Sequence, residues 1–195
     1  MRRLSVALTV SIIAVSLIAA SGCSDDKSSS NTTRDGTTGD TTSGTTVPPG
    51  EPEGTVTYPD LDRSHVDTPV DYPQTPPVGG PHSAVWQTCQ FYGVEFPKER
   101  GVHSMEHGAV WITFDPNLAA ADVAVLAQFA EDGNEVLVSP FTGLPTPVVA
   151  SAWGKQLLLE SVSDPLLAQF VAYFDDGPQT PETGTPCAQG TTETS

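Results

Sequence analysis

The side chains able to do chemistry are crowded into one stretch of this chain. All four histidines, His65, His82, His103 and His107, fall within residues 65–107, and the last two belong to the run Val102-His-Ser-Met-Glu-His-Gly-Ala-Val-Trp111. Imidazoles are the commonest metal ligands and the usual proton shuttles near neutral pH. If they converge, His82, His103 and His107 make a site for copper or zinc, with His65 or Met105 as a fourth donor. An inward-pointing Met105 thioether would favour copper. Glu106 would orient one imidazole through its free N–H, or bind the ion itself. The plainer alternative makes the histidines structural hydrogen-bonding groups, Met105 core filler and Glu106 a turn cap or a solvent-facing group.

Read literally, His103-Ser-Met-Glu106-His107 is the H-x-x-E-H motif of one class of zinc peptidase, in which both histidines share a helix face and the glutamate is a base. Gly108 and a β-branched run follow at once, so the sequence predicts room for only one helical turn. No downstream helix offers an obvious third carboxylate. A hydrolase would use His103 or His107 as general base with Glu106 orienting it, and Ser104 is the nearest candidate nucleophile.

Several elements must position these residues. Tyr58 to Arg100 is rich in Pro and Gly and reads as extended and loop-like, anchored by Val85-Trp86 and Phe91-Tyr92. Ala109 to Phe114 reads as a strand. Leu118 to Glu131 carries Val123, Leu126, Ala127 and Ala130 at helical spacing. Glu135 to Val138 is a short strand, Ser139 to Pro147 a turn, and Val148 to Leu159 one or two strands. Asp164, before Pro165, caps a helix reaching Phe174. The predicted fold class is α+β, a single small domain with a β-α-β-β-α core and helices on one sheet face.

The ends differ in composition. Residues 1–23 pair Arg2 and Arg3 with an apolar run that ends Ala20-Ser21-Gly22-Cys23, the pattern of a secretory signal. The cysteine after Ser-Gly resembles a lipoprotein signal, cleaved before Cys23 with lipid on its thiol, and two acyl chains anchor stably. That places the chain on the extracellular face of a cell membrane. Residues 24–57 form a Ser/Thr/Gly/Pro-rich linker too polar to fold, residues 58–187 the globular domain, and residues 188–195 a disordered tail. The net charge of −16 argues against nucleic acid as a partner. With Cys23 lipidated, Cys89 and Cys187 remain, an even pair that suits one disulfide outside the cytoplasm. Cys89 as a free thiolate, a metal ligand or nucleophile, is the alternative.

The segments Tyr72-Pro, Pro76-Pro77-Val-Gly-Gly80-Pro81-His82, Cys89, Tyr92, Val102-His-Ser-Met-Glu-His-Gly-Ala-Val110 and Ala152-Trp153-Gly154 together resemble a bacterial family known as domain of unknown function 3105. Val78-Gly79 stands where that pattern has Thr-Ser. The resemblance implies a secreted or membrane-anchored protein and carries no assigned activity. His65, His82, Cys89, His103, Glu106 and His107 all fall on its motif positions, which implies a site more than a requirement of folding. The leading expectation is a lipid-anchored extracellular protein that binds copper or zinc. The alternative is a non-catalytic interaction module of the cell envelope.

Overall fold

The computed structural model describes residues 50–131 and 133–195, so the signal segment and most of the linker lie outside the described residues. The elements in chain order are β1 (Val56–Thr57), α1 (Lys98–Glu106), β2 (Val110–Phe114), α2 (Ala120–Gln128), β3 (Val136–Pro140), β4 (Val148–Ala152), β5 (Lys155–Leu159) and α3 (Pro165–Phe174). They form a mixed sheet ordered β1-β5-β4-β2-β3. β2 and β3 run parallel, with Ile112 opposite Val138, whereas β4 is antiparallel to β2 and β5, with Ala150 opposite both Ile112 and Leu157. The α+β class agrees with the sequence reading, but the run from β2 to α3 is β-α-β-β-β-α, one strand more than the predicted β-α-β-β-α core, because Val148 to Leu159 folds as two strands.

β2 is buried at every position. Successive strand side chains point to opposite faces, so a strand buried throughout must serve two cores. Val110, Ile112 and Phe114 pack with Leu126 of α2 and with Leu167, Phe170, Val171 and Phe174 of α3. Trp111, between them, packs with Leu137, Tyr92, Phe96 and Trp153, and with Val102 and Met105 of α1. The helices therefore cover both faces of the sheet, which corrects the expectation of one. The α3 stripe is core, and Asp164 caps that helix through Leu166 N–H at 2.9 Å.

α1 is the larger correction. Nine helical residues precede Gly108 where a single turn was expected. Gly108 does not begin the strand. It ends the helix at φ +117°, a conformation that suits glycine. The Gly108 N–H donates to Met105 O (3.1 Å) and the Ala109 N–H to Ser104 O (3.0 Å), the Schellman pattern.

Other expectations shift at the edges. The linker assignment reached residue 57, but Val56 and Thr57 pair with β5. Residues 188–195 are held along the domain: Thr191 exchanges main-chain hydrogen bonds with Trp86 and Thr88, and Arg100 donates to Glu193 O. Composition missed this because main-chain pairing needs no apolar side chains. Of the four anchors, Tyr92 is buried, while Val85 and Phe91 are exposed. Cys89 and Cys187 are joined, with Cα atoms 5.5 Å apart across 98 residues of sequence. Closing a loop of that size is worth about 4–5 kcal/mol in the chain-entropy account.

Beside this bond Glu135 accepts the Cys187 N–H, and the Glu135 N–H donates to Asp175. Burial, with Asp175 and Asp176 nearby, raises the Glu135 pKa. A carboxyl group raised in the folded state weakens the fold where it is charged and stops doing so as pH falls through its pKa. Glu135→Gln keeps an oxygen for Cys187 and should melt above the wild type at pH 7.5. That gain should shrink toward pH 4.5 in a calorimetric series, and a gain constant with pH would contradict the assignment.

Candidate metal centre

Three segments bring the cluster together. His103 and Glu106, three apart on α1, share a helix face, one position round from the Val102 and Met105 pair that enters the core. His82 ends the Pro/Gly loop. That loop is pinned by Tyr72 Oη–H to Pro81 O (2.6 Å), Gly154 N–H to Val78 O (2.7 Å) and Gln156 Nε2–H to Pro76 O (3.0 Å). His65 arrives on a strand-like segment beside it: the Val66 N–H donates to His82 O at 2.7 Å, and the His82 N–H to Ser64 O at 3.0 Å.

His65, His82, His103 and Glu106 each offer a ligand atom, and these atoms all lie within 4.8 Å of one another. The three imidazole centroids form a near-equilateral triangle with sides of 4.9 Å. A tetrahedral ion with Zn–N bonds of about 2.0–2.1 Å holds imidazole centroids about 5 Å apart. The rings already have the spacing that such an ion demands.

Main-chain carbonyls set the tautomers. His82 Nδ1 lies 2.8 Å from Gly80 O, and His103 Nδ1 lies 2.7 Å from Ser83 O. A carbonyl only accepts, so both Nδ1 atoms carry a proton, and a neutral ring held in this way keeps its lone pair on Nε2. Burial, reinforced by His107 and His82, pushes the His103 pKa down to about 4, so its ring is neutral at physiological pH. His82 Nε2 sits 3.0 Å from Glu106 Oε2, within ion-pair distance. The contact is not aligned as a hydrogen bond, and among the described residues this buried nitrogen has no partner. Two buried ligand atoms thus face each other with no hydrogen bond between them, an arrangement that a shared cation would resolve. Burying such groups uncompensated is costly.

Glu106 is held from the other side. Arg63 Nε donates to its Oε1, and Arg63 Nη2 reaches Glu182 Oε1 at 3.3 Å. One carboxylate oxygen is committed to the guanidinium, and the other points into the cluster. Arg63 and Glu182 were not read from sequence as site residues. Their only signal there is charge, which many other residues of the chain share.

His107, expected as a ligand, stands outside the four-residue group, and Glu106 takes the place it was assigned. One turn beyond His103, its ring lies 4.6 Å from that of His103 and 4.9 Å from that of Trp86, and its Nε2 faces Glu182 Oε2 at 3.6 Å. Burial lowers its pKa, against the opposing pull of Glu182 and Glu106. Met105 is fully buried in the aromatic layer with Trp111 and Phe96, as core filler. Cys89 is spent in the disulfide. Ser104 is fully buried and its Oγ bonds to both the N–H and the carbonyl of Gln87, so it is no free nucleophile. Cys23 lies outside the described residues.

Fold and site together define a small α+β domain with a buried histidine–glutamate cluster that could bind a metal. The chain belongs to the DUF3105 family: the family model, described as "Protein of unknown function (DUF3105)", matches residues 65–189. That interval begins at His65 and contains the whole cluster. Neither the curated proteins nor the solved structures compared with the chain give a match.

The tautomers are directly measurable. Long-range proton–nitrogen correlation spectra of the metal-free protein at pH 7 should show protonated Nδ1 for both His82 and His103, and a bare Nε2 for His103. A proton on His103 Nε2 would remove the lone pair assigned here.

Proposed function

We propose that this chain is a lipid-anchored extracellular protein that holds one transition-metal ion, zinc or copper, through His65, His82, His103 and Glu106, for sequestration or delivery. The observation that carries the reading is the orphaned His82 Nε2, buried and facing Glu106 Oε2, with its tautomer fixed by Gly80. Three imidazoles and a carboxylate suit zinc or divalent copper. With the Met105 thioether in the core, nothing in the cluster is soft enough to prefer monovalent copper. Arg63 would keep Glu106 a one-oxygen ligand.

The surroundings support an address outside the cytoplasm. A disulfide persists in oxidising compartments, and one joins Cys89 to Cys187. Among the described residues no helix is long and apolar enough to cross a membrane; in this reading lipid on Cys23 makes the attachment.

Equilibrium dialysis followed by elemental analysis should find one zinc or copper per folded chain. His82→Ala and His103→Ala should each abolish it, while His107→Ala retains it. Absence of stoichiometric metal in the wild type, or retention in the His82/His103 double variant, would leave an envelope module with structural histidines. Cys23→Ala should move the protein from the membrane fraction to the medium, and unchanged fractionation would count against the anchor.

A further inference from the structure

One of the four donors is unlike the rest. His82, His103 and Glu106 are buried, and each is fixed by a group outside the cluster: Gly80 O, Ser83 O and Arg63. His65 is exposed, and no hydrogen bond from the described residues holds its ring. It is placed by main chain alone, through a single bridge to His82 that continues into no longer ladder. Val66 and Ser83, the residues that follow His65 and His82 in the chain, help line an open cavity of about 300 Å³. A site built only to retain an ion buries and locks every ligand. Here three are preorganised and the fourth stands at the surface.

We infer that the centre is a transfer site in which His65 is the exchangeable ligand. The inference rests on the metal-binding reading above. A donor atom of an acceptor molecule, an imidazole nitrogen or a thiolate sulfur, bonds to the ion as the bond to His65 breaks. His82, His103 and Glu106 hold the ion until the acceptor supplies further donors. One lone pair replaces another at each step and no electron is transferred, so exchange needs no redox partner. The acceptor's approach is confined to the His65 side, because the other three donors are covered. His65 also carries no buried partner to lose when its ring swings away, which keeps the displaced state accessible.

The test uses the full chain loaded with one equivalent of zinc and mixed by stopped flow with increasing concentrations of the chromogenic chelator 4-(2-pyridylazo)resorcinol. Ligand displacement predicts a wild-type transfer rate that rises in proportion to chelator concentration. His65→Ala should still retain one zinc through desalting and release it roughly tenfold faster, since differences between related sites are expressed mainly in dissociation. His103→Ala, folded by circular dichroism, should retain none. A wild-type rate independent of chelator would overturn the inference while leaving metal binding intact. So would a folded His65→Ala protein that loses zinc as completely as His103→Ala. A wild type that takes up no zinc would remove the centre itself, a separate and recognisable failure.

Discussion

The close approach of α1 to Trp111 is the constraint on which the rest of this molecule depends. A Cβ placed on Gly101 would lie 2.7 Å from the Trp111 ring, so only glycine lets the helix lie flat on the indole. Glycine in a helix interior costs about 0.5–1 kcal/mol relative to alanine, and the burial of Val102, Met105 and Trp111 offsets it. With the helix seated at that distance, its rotation is settled. Val102 and Met105 enter the aromatic layer, and His103 and Glu106 turn to the neighbouring face. The Schellman turn at Gly108 then delivers the chain into β2, which carries Trp111 itself. Helix, turn and strand form a closed loop of mutual support with the cluster on its outer side.

The loop that brings His82 shows how several separate residues hold one imidazole. Tyr72 holds Pro81, Gly80 gives its carbonyl to the His82 ring, and Val78 accepts the N–H of Gly154 in the β4–β5 turn. Trp153, next to that glycine, sets its indole nearly perpendicular to the His82 ring, with centroids 5.8 Å apart. Gly79, at φ +143°, lies where a Cβ would strike Leu61 and touch Trp153. These residues look unrelated in the sequence, yet each fixes the position or the tautomer of one imidazole. The disulfide serves the C-terminal end of α1. Cys187 closes the segment that carries Glu182, whose N–H donates to Glu106 O and whose carboxylate faces both Arg63 and His107.

Electrostatics explains why Glu106 belongs with the histidines. A buried carboxylate is tolerated only when it is paired. Arg63 satisfies one of its oxygens, leaving the second directed at His82 Nε2. The same segment, Arg63-Ser64-His65, thus supplies both the cation that steadies the carboxylate and the exposed fourth donor. Ligand supply and ligand orientation are coupled through two residues of separation.

The sequence by itself determined what local patterns determine. The β-branched run ending at Phe114, the Asp164–Pro165 cap with its Leu/Phe stripe, the pairing of the two remaining cysteines and the concentration of histidines were all legible there. Each depends on residue type and short spacing. The helix across 98–106 was not legible, because Gly101 weakens its propensity and Gly108 looks like the start of a strand until the reversal at its C-terminus is seen. The faces covered by helices, the order of the tail, and the exclusion of His107 and Met105 from the cluster were decided by tertiary structure alone. The exclusions of His107 and Met105 turn on which way a side chain points once the helix has been seated on Trp111. Direction of that kind is fixed by packing between segments far apart in the chain, and spacing within one segment does not encode it.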